Sequence, residues 1–179
     1  MSQLKVNSIV PSGGLPAGAS GGGIIQVVSS TYTSRFSSSG NGWSVITGFN
    51  ATITPQSTSS KILVMVFIGV VGTSTGDSYS TAFRIKRAGT VVLQGADQGN
   101  NRDQASFRYF SGANQDHAAS AGIVGLDSPA TTSSTQYTIE LNPQDGITTT
   151  INYEQRNNNN TDSYSMDCMS SITLLEVTN

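Results

Sequence analysis

Few residues in this chain carry the chemistry that an enzyme or a metal site needs. His117 is the only histidine, so a Ser-His-Asp hydrolase would have to use it. Asp116, beside it in "GANQDHAAS", is badly placed to orient its own neighbour's ring, and no G-x-S-x-G elbow occurs. His117 therefore reads as a solvated turn residue. Cys168 is the only cysteine, which excludes an internal disulfide; between Met166 and Met169 it reads as a small buried hydrophobe, shielded from thiol reagents. One His and one Cys fall short of the roughly three protein ligands of a catalytic zinc. "DQGNNRD", from Asp97 to Asp103, offers oxygen ligands and a glycine in the loose manner of a calcium loop. It lacks the EF-hand spacing and its closing Glu, and reads as a polar turn. Glu140, Glu154 and Glu176 could supply the carboxylate pair of a glycosidase, but Glu140 and Glu154 alternate with apolar neighbours and read as solvated strand residues. The expectation is a protein without catalytic residues, metal or cofactor.

One loop invites a contact role. "RNNNNTDSYS" collects Asn157, Asn158, Asn159, Asn160, Asp162 and Tyr164. Asn gives adaptable hydrogen bonding and Tyr gives contact area at low entropic cost, so these residues are the candidates for a ligand contact. The plain alternative is a hairpin tip.

The elements that would position such a loop are strands. Charged residues make up 11% of the 179 residues, against about 25% in an ordinary soluble domain. Ser, Thr, Asn, Gln and Gly take their place, a mixture common in extracellular and virion β-proteins. The net charge is -2, so there is no basic footprint for nucleic acid and no polybasic membrane patch. Period-two segments separated by Gly, Asn, Asp, Ser and Pro occur throughout, and no amphipathic helical window does. In "WSVITGFNATI", Trp43, Val45, Thr47, Phe49, Ala51 and Ile53 are expected on one face, with Ile46 as an exception on the other. In "KILVMVFIGVV", Ile62 to Val71 lacks any polar side chain. It is too short for a membrane helix, which needs about 20 residues, and reads as a central strand covered on both faces. One cover is the sandwich and the second is either another subunit or a layer of loops, with Ile62, Val64, Val66 and Ile68 as the expected interface in the first case. "FRIKRAGTVVLQ" reads as a hairpin turning at Ala88-Gly89. "ASFRYF", "AGIVGL", "QYTIEL", "TTTINYEQ" and "MSSITLLEV" are further strands. Nine or ten strands in all suit an antiparallel β-sandwich of jelly-roll type.

The first 22 residues stand apart. "LKVNSI" alternates like a strand, and Gly13, Gly14, Gly18 and Gly21 to Gly23, with Pro11 and Pro16, then break any ladder. "MSQLKVNSIV" has no long apolar core and is not expected to act as a signal peptide. A lone strand is not stable. Residues 1–22 are therefore expected to form a docking arm and linker that adds to the sheet edge of another protein, burying Leu4, Val6 and Ile9, while 23–179 fold as the sandwich.

Four stretches carry a resemblance: "LKVNSI" with the following "PSGG…GASGGGIIQ", "TPQSTSSKILVMV", "DSPATTSSTQYTI" and "SSITLLEV". Together the chain resembles small structural and tail-fibre-associated proteins of marine tailed phages, cyanophages above all. The resemblance implies a non-enzymatic β-sandwich, often a homotrimer, located in the virion and anchored through its N-terminus to other virion proteins of tail or capsid. It leaves three roles: a tail-fibre or knob protein that contacts a host-surface glycan or protein through its loops, a capsid decoration protein that cements the head, and a glycan-degrading depolymerase.

Overall fold

Eleven strands, every pair of them antiparallel, make up the described part of the molecule, which a computed structural model gives as residues 23–73, 80–99, 103–110, 118–143, 147–153 and 166–178. They are β1 Ile24–Tyr32, β2 Phe36–Ser39, β3 Ser44–Ile53, β4 Lys61–Thr73, β5 Ser80–Arg87, β6 Thr90–Val92, β7 Phe107–Phe110, β8 Ala119–Asp127, β9 Thr135–Pro143, β10 Thr148–Ile151 and β11 Ser170–Val177. The Leu4, Val6 and Ile9 arm, the 157–164 loop, His117 and Glu154 lie outside the described residues.

Two sheets stack face to face. The first runs β1–β11–β4, with β8 on the other side of β4 and with β10 and β2 continuing where β4 outruns β11. The second runs β3–β9–β5, and β7 and β6 divide the outer edge of β5 between them. The pairs β1:β11, β3:β9, β4:β8 and β5:β7 each join an early strand to a late one. The chain is thus one long antiparallel hairpin rolled over so that alternate pairs fall in opposite sheets. That is the jelly roll, as the strand spacing leads one to expect.

The core follows from the period-two patterns. Tyr137, Ile139 and Leu141 of β9, Phe83 and Ile85 of β5, and Ile172 and Leu174 of β11 are fully buried between the sheets, and Phe83 stacks on Phe107 with ring centroids 4.9 Å apart. The expected turn at Ala88-Gly89 is present, with both residues at positive φ (45° and 87°), the backbone a tight two-residue hairpin needs. Ile62, Val64, Val66 and Ile68 also point into this core and are almost fully buried by the chain itself. They leave no surface for a second subunit, and the expected interface on those four residues is corrected. The strand does have an apolar second face, but it is the intervening one.

β3 departs from its expected alternation. Ser44 and Val45 face Leu141 and Glu140 across the ladder, and pairing resumes only at Asn50 opposite Thr138. The extra residues form a bulge around Gly48 at φ +87°, a conformation glycine adopts without strain. The bulge switches the strand's phase. Ile46 is therefore buried with Phe49, Ala51 and Ile53, while Trp43 and Val45 turn to the outside.

Two buried polar clusters brace the sandwich, one across the sheets and one within the first sheet. The buried Tyr137 hydroxyl donates to Asp127 at 2.7 Å, and Arg87 donates to both Asp127 carboxylate oxygens at 2.7 Å, joining β8 of one sheet to β9 and β5 of the other. Burial first, and then the bond to Asp127, push the Tyr137 hydroxyl's pKa well above the ordinary tyrosine value of 10.0. At the other end the buried Asn152, at φ +63°, donates to the carbonyls of Tyr32 and Ser34 and accepts from the Ser170 hydroxyl at 2.6 Å. This one side chain holds three distant segments, so each of its polar groups has a partner in the dry interior.

Candidate functional site: two outer faces

Among the described residues, no group of three or more His, Cys, Asp and Glu side chains is placed to hold a metal. In the stretch expected as a polar turn, Asp97 accepts from the backbone of Gly99 at 2.8 Å, an Asx-type turn, and Asp103 accepts from the Asn142 amide at 3.0 Å. Glu140, expected on the surface, is only 3% exposed, and Glu176 is fully buried. Glu176 accepts from the backbone of Gln56 at 2.7 Å. Glu140 points outward from its sheet but is enclosed by its cross-strand neighbours, so reading it as a solvated residue is corrected. Cys168 is half-buried rather than buried, and Met166 and Met169 beside it are exposed. The chain there lies at the rim of the sandwich, just ahead of β11, where the core covers only one side.

What remains is the outside of the two sheets, and register decides what each presents. On the first sheet, Leu126, Leu63, Leu175 and Val27 line up across β8, β4, β11 and β1. The next outward row is Val124, Met65, Thr173 and Ser29, and the third is Gly122, Phe67, Ser171 and Thr31. None of these twelve residues is charged. Val124 is 61% exposed and Phe67 50%. Because Gly122 has no side chain opposite Phe67, a pocket of about 400 Å³ opens there, lined by Met65, Phe67, Val124, Ser171 and Thr173. A Cβ at Gly122 would lie within van der Waals overlap of the Val66 carbonyl, so the strand packing itself requires the gap. At strand spacings of about 4.8 Å and a rise of about 3.4 Å per residue, the three rows of four cover a face roughly 15 Å wide.

The second sheet presents the opposite chemistry. Glu140 of β9 lies between Arg84 and Lys86 of β5, accepting from Arg84 Nε at 2.5 Å and from Lys86 Nζ at 3.1 Å. The Arg84 guanidinium also sits 4.1 Å from the centre of the Trp43 ring, a cation–π contact that fixes the indole. Next to it, Asn142 accepts from the backbone N–H of Gly42 at 2.9 Å and donates to Asp103 at 3.0 Å. Asp103 in turn lines a shallow pocket of about 160 Å³ with Gly95, Ala96, Gln98, Gln104 and Ala105. Arg108 and Phe110 of β7 complete this face, the guanidinium 5.7 Å from the ring.

Sequence reasoning overlooked Trp43, Arg84, Asn142 and Leu63, Met65 and Phe67. For the last three the signal was present, since a strand apolar on both faces must show one of them outward. For the others it was not, because Trp43 and Arg84 meet only through the β3–β9 and β9–β5 registers.

No protein-family model matches the sequence, and no curated protein matches it. Among solved structures, the chain is similar to one from "Structure of infectious bursal disease virus Gx strain", with a TM-score of 0.39 and 13% identity over 94% of this chain and 44% of that one. This chain spans less than half the length of that one, and a likeness of that degree does not bear on function. The strand order identifies the jelly roll by itself.

Proposed function

We propose that this protein is a non-enzymatic structural component of a phage virion, of tail-fibre or knob type, that assembles as a homotrimer and is anchored to the particle by residues 1–22. The observation that carries the reading is the uncharged outer face of β8, β4, β11 and β1. Leu63, Met65, Phe67, Val124 and Leu126 form a continuous apolar surface with a Ser and Thr margin. Monomers rarely leave an apolar patch beyond a few hundred Å² open to water, and subunit interfaces are depleted of charge at their centre. A second copy of the chain suits the face because it offers the same lack of charge, so that no unpaired ion is buried on contact. The low charge of the whole chain, the jelly roll and the sequence resemblance to marine-phage proteins point the same way.

Light scattering tests the assembly. The purified chain is expected at three times 18.7 kDa, and a stable monomer at micromolar concentration sinks it. Locating the protein in an electron-microscopy map of the particle tests the rest. A few trimers per tail support the fibre role, whereas hundreds of copies on the head make it a decoration protein instead.

A further inference from the structure

We infer that the outer face of the β3–β9–β5 sheet binds a carbohydrate chain, with Trp43 as the stacking surface and Asn142 and Asp103 as ligands to its hydroxyls. This deepens the host-contact part of the reading above and rests on it only for the biological setting.

A pyranose ring has a flat patch of C–H groups and a rim of hydroxyls. Recognising it takes a rigid aromatic plane beside planar polar groups that can meet two adjacent hydroxyls at once. The structure puts those parts together. Trp43 is half-buried, and Arg84 stacks 4.1 Å from its ring centre, so the indole is held in place before any ligand arrives and loses little entropy on binding. Arg84 is itself fixed by Glu140, which is held by Lys86 as well. The Asn142 amide joins Gly42, next to Trp43, to Asp103 at the rim of the pocket, so the platform and the pocket are neighbours on one face. The pocket, at about 160 Å³, has room for one monosaccharide, and Gln98, Gln104 and Asp103 in its lining carry the donors and acceptors that hydroxyls require. Charge disfavours a nucleic acid, because the chain is net negative.

Trp43 is the only tryptophan among six tyrosines, so fluorescence excited beyond tyrosine absorption reports on this site alone. Malto-, cello-, xylo- and chito-oligosaccharides serve as the probes. At least one is expected to shift the emission saturably, with a Kd on the order of 1 mM or tighter. Asn142→Ala and, separately, Asp103→Ala are expected to weaken that binding about tenfold or more, with particle mass unchanged. Asp103→Ala is the control for folding and leaves the melting temperature unchanged, because among the described residues Asp103 holds no backbone group, whereas Asn142→Ala also frees the Gly42 N–H. Absence of any saturable response to all four probes overturns the inference, as does a response that survives both substitutions. Loss of trimer mass in the unsubstituted protein would sink the assembly reading and leave this one standing.

Discussion

The two outer faces of this sandwich are built from the same strand geometry and the same period-two alternation, yet they differ in almost every physical respect. The β8–β4–β11–β1 face carries no charge in its three central rows and shows Phe67 and Val124 to solvent. The β3–β9–β5 face is crossed by Arg84, Glu140 and Lys86, held together at 2.5 and 3.1 Å, with Trp43 packed on the guanidinium. The first face would gain by being covered, because its exposed apolar groups are stabilised on leaving water. The centre of the second is satisfied as it stands, because Arg84, Lys86 and Glu140 partner one another. A face of the first kind is suited to permanent assembly and one of the second kind to reversible contact with a polar ligand.

That contrast can be broken most forcefully at Val124. Val124→Glu puts a carboxylate at the centre of the apolar face, where burying it unpaired costs several kcal/mol. The expected outcome is a particle mass falling to 18.7 kDa in light scattering, with strand content by circular dichroism unchanged. Phe67→Glu should do the same from the neighbouring row, and a trimer that survives both would remove the face from the assembly.

On the other sheet the corresponding cut lowers folding stability and leaves assembly alone. Glu140→Ala strands Arg84 and Lys86, whose side chains are 21% and 25% exposed. Removing one partner of a buried pair costs about 3–5 kcal/mol, and the partial exposure of the cations brings this to about 2–3 kcal/mol. Denaturant unfolding should show that loss, while particle mass stays constant. A loss below about 0.5 kcal/mol would mean the network is held by solvent rather than by Glu140.

The link between the sheets should respond to pH. Tyr137 is buried and bonded to Asp127, and its pKa is raised in the fold above 10.0. Below about pH 10 the hydroxyl is neutral in both states and its contribution is complete. Above that, the unfolded tyrosine releases its proton while the folded one retains it, so the unfolded state binds fewer protons and stability falls as pH rises. The melting temperature is expected to drop steeply past pH 10, and Tyr137→Phe should flatten the drop while costing about 1–2 kcal/mol at neutral pH, because Asp127 loses a donor. A slope identical in both proteins would assign the alkaline loss to other groups.

Salt gives the smallest and sharpest comparison. Raising sodium chloride from 0.1 to 1 M shortens the Debye length from about 10 to about 3 Å. Trimer mass should not fall, since no charge pairs lie on the apolar face, and the melting temperature should move by only a few degrees, because Glu140 is shielded from solvent. Dissociation in salt would mean that ion pairs, not apolar contact, hold the subunits together.

Particular residues show how far the sequence reaches. The alternation of Tyr137, Ile139 and Leu141, the hairpin at Ala88-Gly89 and the unbroken apolar run from Ile62 to Val71 were enough to read an antiparallel sandwich of jelly-roll type. Each is a local pattern whose period is set by the backbone. β2, with the sequence FSSS, has no such pattern; it is a strand because β10 pairs with it and Ser37 shares a hydroxyl contact with Thr150 at 2.9 Å. β1 is likewise apolar only in its first half and is held by its ladder to β11. The sequence also showed that the strand from Ile62 to Val71 needed two covers. Which four side chains took the inner one was a question of phase, and a period of two leaves phase open by one residue. Only the packing of β4 between β8 and β11 assigned Ile62, Val64, Val66 and Ile68 to the core and Leu63, Met65 and Phe67 to the outside. The sequence by itself determined the class of fold, the scarcity of charge and the absence of a recognisable catalytic motif, because composition and periodicity are properties of short stretches. The tertiary structure alone decided that Trp43, Arg84, Glu140 and Asn142 stand together, because they come from β5, β9 and the residue just ahead of β3, whose register depends on a bulge at Gly48 and on contacts between residues far apart in the chain.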